Sequence, residues 1–494
     1  MKRYTGSKNN LIIIVFSLLF VSLLPGWVSD KVDDQVVAKF GNNQITLGEF
    51  KIAYMQLIKQ PKVFDSKALR KNFLDELIKG RLLSQEAKRE SLDTSELIKY
   101  RIDAFRNKCL RNGHFEKVIK PMIHVDEKDV EEAYLFTREE RRISHLFSLT
   151  KAGADSLYQL LNNGASFDSL ASVTFKDTVL ANHGGDLGWI NWDQLEYDMG
   201  MTVFRMNVNE ISEPIKSIFG YHIIKVTGIK KKPLISGNEY ELQRKKAKYL
   251  LETKIGEKLA FEYIDKMRES AKILIYPDIV KLAILKLSGI FTRKPSHADQ
   301  MYEIQLKDEE IKSVETSLWN EHNKVIAIIN DKNLTVGEFI GYLSFVPYEV
   351  IYNGIKPAMD YIFRDYLVTE EAKQMGLEQD KNVLQKTKVY TDNLLQFEMR
   401  KKLVQGVEVK DNEVKQYYEK HKSKYKGATY EQMHDNLYKL VTDEKKRNVV
   451  SEYVKKLSKN MKITKNVNLI QKYFDAILNN RNPGQNSSGM SKTE

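Results

Sequence analysis

Cysteine is nearly absent: the 494-residue chain has one, Cys109. No disulfide can form within the chain, no cysteine-based metal cluster can be built, and no lipid-modified cysteine can follow an N-terminal signal. Cys109 sits in a helical pattern with Ala104, Phe105 and Leu110, which predicts a small core residue. A concentrated excess of one charge is missing too. The 78 Lys+Arg and 66 Asp+Glu leave +12, and setting aside residues 1–29, which hold Lys2, Arg3 and Lys8 and no acid, leaves +9. Runs such as Lys230-Lys231-Lys232 and Arg244-Lys245-Lys246 lie in mixed-sign sequence and read as solvated faces, so nucleic acid is not an expected partner. There is no Gly-rich phosphate loop, no Gly-x-Ser-x-Gly and no His-Glu-x-x-His motif.

No apolar run reaches the roughly 20 residues a bilayer span needs. The longest, Leu11 to Leu24, is interrupted only by Ser17 and Ser22 and ends at Pro25-Gly26. With the basic residues before it, it reads as a signal peptide over residues 1–29, cleaved near Gly26 or Ser29, or as an N-terminal anchor if cleavage fails. The remaining composition, 42% hydrophobic and 29% charged, is ordinary for a globular chain of two to four domains.

A repeat redefines that count. Val37 to Phe50 recurs as Ile326 to Phe339, an offset of 289. In both copies a short apolar strand meets a polar turn, and Thr46 with Glu49, or Thr335 with Glu338, forms a Thr-x-x-Glu capping box. Leu82 to Lys88 matches Leu367 to Lys373, and Val125 to Tyr134 matches Val409 to Tyr418 at offset 284. Leu74, Leu77, Ile78 and Leu82 mark one buried helix face. Beyond these blocks the offset shrinks to 190, where Glu262-Tyr263 and Lys272-Ile273 align with Glu452-Tyr453 and Lys462-Ile463. The difference of 94 residues is one small domain present in the first copy only.

That insert opens with Arg142 to Leu149, whose alternation puts Ile143, His145 and Phe147 on one strand face. A helix with Leu157, Leu160 and Leu161 inward ends at Gly164; then come Phe167 to Ala171, Asp177 and Gly184-Gly185-Asp186-Leu187-Gly188-Trp189. Ile211 to Ile215 makes a turn before Phe219 to Val226, which alternates as a last strand carrying His222. The expected order is β-α-α-β-β.

These pieces resemble the parvulin family of peptidyl-prolyl cis/trans isomerases: the Ser144-His145 strand, the block from Asp177 to Trp189, the Glu210 to Pro214 turn and the Phe219 to Ile223 strand, about 90 residues in family order. The flanking modules resemble the helical chaperone part of SurA-type and PrsA-type folding factors, over most of 35 to 275 and less specifically over 324 to 465. The resemblance implies an α+β chain of two mainly helical modules, the first split by a parvulin domain with an antiparallel sheet and surrounding helices. It implies that His145 and His222 are the paired histidines beneath the prolyl site and that Asp177 takes the position held by Cys or Asp across the family. Leu195, Met199 and Phe219 would lie near the proline pocket. A second module without its insert departs from the two-parvulin SurA arrangement.

The resulting division is a signal over 1–29, the first part of module one over 30–137, the parvulin domain over 138–232, the closing part of module one over 233–285, a linker over 286–321, module two over 322–479 and a disordered tail over 480–494. His145, His183 and His222 lack metal-ligand spacing, so neither a metal nor another cofactor is expected. With only Lys151 after the first strand, phosphoserine-proline specificity is not expected either. The expected activity is that of an exported isomerase and chaperone in the periplasm, or anchored to the inner membrane facing it. Its partners would be unfolded or nascent polypeptides, outer-membrane proteins among them. The competing reading is a holdase with little turnover.

Overall fold

The computed structural model describes residues 31–175, 178–217, 220–233, 237–293, 306–352, 354–425 and 427–481. The expected signal, Asp177, Phe219 and the expected tail beyond Arg481 lie outside the described residues. Ten strands occur among those described: β1 (Val36–Phe40), β2 (Asn43–Thr46), β3 (Glu139–Ser148), β4 (Asp186–Asn191), β5 (Ile215–Ser217), β6 (Gly220–Lys231), β7 (Ile273–Ile275), β8 (Val325–Ile329), β9 (Lys332–Thr335) and β10 (Ile463–Lys465).

Each repeat copy opens as its sequence predicts. β1 and β2 form a hairpin that joins Phe40 to Asn43, and β8 and β9 form its counterpart, joining Ile329 to Lys332. Asn330 and Asp331 turn the second hairpin at φ 48° and 65°, the paired left-handed conformation that a two-residue turn of matching twist requires. Thr46 then caps the helix Leu47–Ile58 and Thr335 caps Val336–Leu343, each with a reciprocal bond to Glu49 or Glu338.

The copies do not close on themselves. β10, from the end of the second copy, pairs with β1 (Phe40 with Ile463), while β7, from the end of the first, pairs with β8 (Ile273 with Ile329). The expectation that residues 233–285 complete the module begun by 30–137, and that 322–479 is self-contained, is therefore corrected: the copies exchange their closing segments. Two compact units result, one within Leu110–Met375 and the other from Trp27–Cys109 with Gly376–Glu494. The physical reason is that a repeat reveals which segments are equivalent, and equivalent edges such as Lys272-Ile273 and Lys462-Ile463 can serve either hairpin.

In the second of these units the stripe Leu74, Ile78, Leu82 of the helix Lys67–Arg89 is buried against Leu395 and Met399 of Lys381–Leu403, Val450 and Val454 of Tyr430–Ser458, and Ile470 and Phe474 of Val467–Arg481. Each such side chain contributes roughly 1.5–3 kcal/mol on burial. Phe50, Tyr54 and Phe474 meet at centroid distances of 5.2–6.2 Å in the same core. Cys109 is buried, as its pattern predicts.

The unit Leu110–Met375 carries the insert as a four-stranded antiparallel sheet in the order β4-β3-β6-β5. β3 and β6 pair from Glu139 with Lys231 to Ser148 with Tyr221, and the Lys232 N–H donates to the Arg138 carbonyl at 2.7 Å, so the ends of the insert are adjacent. One sheet side packs Leu146 and Ile223 against Phe167, Leu170 and Ala171. The other packs Ile143, Ile224 and Val226 against Ile190, Trp192, Val203 and Phe204, and this core reaches beyond 138–232 to Tyr134, Phe136, Ala247 and Leu251.

Five elements depart from the sequence reading, the last of them in the other unit. The three-residue β5 and the helices Thr178–Asn182 and Tyr197–Arg205 extend the β-α-α-β-β order. The expected linker 286–321 holds a helix, Asp308–Leu318, whose Val314 and Leu318 are buried. The helix Val467–Arg481 runs into the start of the expected tail.

Candidate active site

The alternation along β3 does what the sequence predicts: Ile143, His145 and Phe147 share a face. Because His145 lies opposite Ile224 and Phe147 opposite His222, the two histidines are diagonal neighbours on that face of β3 and β6. Their ring centroids are 5.8 Å apart and their planes 19° from parallel. Phe175 stacks on His145 at 4.8 Å, and Phe147 leans on His222 at 5.1 Å. Only 1% of His145 and 5% of His222 is exposed.

Hydrogen bonds hold this arrangement. Ser217, opposite Gly220 where β5 returns into β6, places its Oγ 2.9 Å from His222 Nε2. The His145 N–H donates to the Gly185 carbonyl at 3.0 Å. Gly185 has φ +71°, and a Cβ there would stand 2.2 Å from the His145 carbonyl oxygen, so only glycine fits. Asp186 then accepts from the Gly188 N–H at 3.0 Å and pairs with Arg142 at 2.6 Å. The Gly-Gly-Asp-Leu-Gly block is thus the support behind His145.

Burial governs the electrostatics. It pushes the His145 imidazole down to about 3, with the His222 charge adding to the effect, and pushes His222 down to about 4. Both rings are neutral at neutral pH. A neutral imidazole offers one donor and one acceptor nitrogen, and the Ser217 hydroxyl, which can donate or accept, meets His222 Nε2 in either tautomer. His145 Nε2 has no hydrogen-bond partner among the described residues. The arrangement holds oriented dipoles in a desolvated place.

Of the other expected site residues, Leu195 and Met199 are 1% and 7% exposed and belong to the core with Trp192, Val203 and Leu251. The structure therefore places them in packing rather than on an open surface. Asp177 and Phe219 lie outside the described residues. Two contributors escaped the sequence reading. Ser217 falls between the recognised Pro214 turn and the Phe219 to Ile223 strand, and only its pairing opposite Gly220 marks it. Lys254, on the helix Asn238–Ser270, lies outside the expected domain boundary; its buried ammonium donates to the carbonyls of Leu195 and Asp193, and burial pushes it down to about 8.

Family models agree with this architecture. The PPIC-type PPIase domain matches residues 134–230, and the SurA-like N-terminal domain matches residues 1–119. The foldase protein PrsA of Caldanaerobacter subterraneus subsp. tengcongensis is 26% identical over 310 residues, covering 55% of this chain and 98% of the relative. The parvulin-like PPIase of Rickettsia bellii is 25% identical over 282 residues, covering 53% and 95%. A PrsA 1 foldase of Bacillus cereus is 36% identical over 115 residues, 23% of this chain and 38% of the relative. Among solved structures, the peptidylprolyl isomerase PrsA of Bacillus anthracis is 25% identical, covering 39% of this chain and 97% of that one, with a TM-score of 0.21.

The fold and the matched segments define a parvulin-type peptidyl-prolyl cis/trans isomerase domain. A second segment, residues 1–119, matches the SurA-like N-terminal domain, and the chain is similar to PrsA foldases and parvulin-like isomerases.

Proposed function

We propose that the chain works outside the cytoplasm, in the periplasm after removal of residues 1–29, on unfolded exported polypeptides that include outer-membrane proteins. Rotation about an X-Pro bond faces a barrier of ~18–20 kcal/mol from amide resonance and breaks no covalent bond. A catalyst needs an apolar seat for the ring and fixed dipoles that favour the twisted amide over either planar form. In this reading His145 and His222 supply the oriented network and Asp177 tunes it electrostatically. Leu195 and Met199 form the floor beneath the prolyl ring, and Phe219 lies beside it. The observation that carries the reading is the pair of neutral, buried histidines on adjacent strands, one of them anchored by Ser217.

The burial of both rings, and of Leu195 and Met199, favours a second reading in which the domain holds clients with little turnover. One experiment separates the two. The full chain and its His222→Ala and Asp177→Ala variants are assayed for acceleration of a proline-limited refolding reaction and for suppression of client aggregation. The isomerase reading expects acceleration by the wild type and loss in the variants. Aggregation suppressed at an uncatalysed refolding rate would leave only the holdase. Among the described residues no helix is long and apolar enough to cross a membrane; the extracytoplasmic reading rests on residues 1–29 and is checked by locating the mature N-terminus.

A further inference from the structure

Next to Ser217, the hydrogen-bond partner of His222, and within the unit Leu110–Met375, is a cleft of about 340 Å³. That is within the size range of ligand pockets, about 300–1,000 Å³. One wall comes from the parvulin domain and includes Ser217, the residue that anchors His222. The facing wall is the helix Asn238–Ser270, which lies beyond the parvulin fold. A helix outside the matched parvulin domain thus builds half of a pocket that includes the hydrogen-bond partner of His222.

The charges in this cleft are unevenly satisfied. Lys258 is 2.6 Å from Asp198 and Lys216 is 3.5 Å from Asp265, so these two lysines are engaged by carboxylates. Lys254 is turned to the carbonyls of Leu195 and Asp193. Glu257, one helical turn nearer the middle of the wall, has neither a hydrogen bond nor an ion pair among the described residues. Burial pushes its carboxyl up to about 7, opposed only by the Lys254 charge. A partly desolvated carboxylate without a partner is unfavourable, and an incoming ammonium or guanidinium would relieve it.

We propose that this cleft receives a client residue flanking the isomerised proline and that Glu257 selects a basic side chain there. The proposal rests on the isomerase reading for the identity of the ligand, an extended proline-containing chain, and adds a preference that the helical module imposes on the parvulin domain.

The test uses the full chain and labelled pentapeptides with a central proline, carrying Lys, Gln or Glu immediately before or immediately after it. Binding is read by fluorescence anisotropy and isomerisation by NMR exchange. In the wild type the Lys peptide should exceed the Glu peptide about fivefold at one of the two positions, the size of a partly exposed ion pair. Glu257→Gln should bring that ratio to about one, and Glu257→Lys should invert it. Equal binding of the Lys and Glu peptides, a preference that survives Glu257→Gln, or no measurable binding of any peptide overturns the proposal. If peptides bind with the expected ratio and none is isomerised, the isomerase reading fails and the charge selection stands.

Discussion

Arg70, from the first repeat copy, holds Asp475, from the second: its Nη1 lies 2.9 Å from Asp475 Oδ1 across 405 positions of sequence. The same guanidinium pairs with Asp65, donates to Gln471 Oε1 at 3.0 Å and lies 5.0 Å above the Phe474 ring, with its side chain 2% exposed. The guanidinium holds the Asp475 and Asp65 carboxyls below the usual range. Arg70→Ala removes the charge, its stacking and the link between exchanged copies. Breaking a buried pair costs about 3–5 kcal/mol, and the partial exposure of Asp475 places the expected loss near the lower figure. Chemical denaturation followed by circular dichroism checks this; a loss under about 1 kcal/mol would show that the link is not a clamp.

The exchange also predicts which fragments fold. Residues 27–285 contain the whole first copy by sequence, yet the helix Lys67–Arg89 buries its stripe on Lys381–Leu403, which that fragment lacks. Residues 110–375 keep the inserted sheet, the β7-β8-β9 sheet and their cores together. The expected outcome is a single cooperative thermal transition for 110–375, and none for the 31–109 segment of 27–285 by hydrogen exchange. Protection of the Leu74 to Leu83 amides in 27–285 would mean that the copies can close on themselves.

What was legible in the sequence follows from how local each determinant is. The capping boxes at Thr46 and Thr335, the Leu74 to Leu82 stripe and the β3 alternation that aims His145 are set by residues a few positions apart, and all appear as read. The exchange was not legible, because Lys272-Ile273 and Lys462-Ile463 carry the same edge pattern and only the folded chain decides between them. Ser217 was missed since a serine in a three-residue edge strand has no pattern of its own. Lys254 and Glu257 were invisible for another reason: on a 33-residue helix of mixed charge, nothing local tells a residue lining the cleft with Ser217 from one facing water.

Stability should depend on pH through the two site histidines. Each has an ordinary value of 6.5 and a folded value held well below it. Below pH 6.5 the unfolded chain takes up protons that the folded site refuses. The stabilisation is therefore complete above about 6.5 and falls as the pH drops toward 4, by about 1.4 kcal/mol per histidine per pH unit. Between pH 6.5 and 5 each ring should contribute a loss of about 2 kcal/mol. Glu257, raised rather than lowered, acts in the opposite sense, so the histidine share is isolated by comparing the denaturation slopes of wild type and His145→Phe. With Glu257, itself raised to about 7, replaced in a Glu257→Gln background, the isomerase rate of the folded chain should stay level from pH 8 to 5; an inflection near 6.5 there would mean that one ring ionises normally.

Ser217→Ala tests whether the His222 network matters to the reaction or only to the fold. The substitution removes the partner at 2.9 Å from His222 Nε2 and leaves that nitrogen buried. An unsatisfied buried polar atom costs about 1–3 kcal/mol, so a lowered melting temperature is expected whatever the network does. The distinguishing readout is therefore taken well below that temperature, where both proteins are folded. If Ser217 orients His222 for the twisted amide, kcat should fall about tenfold, equivalent to ~1.4 kcal/mol of transition-state stabilisation. KM is read in parallel, because Ser217 also lines the proposed client cleft and a loss of binding there would raise KM rather than lower kcat. Ser217→Thr, which keeps the hydroxyl, should recover most of the rate. Loss of stability with kcat unchanged would assign the contact to the fold alone.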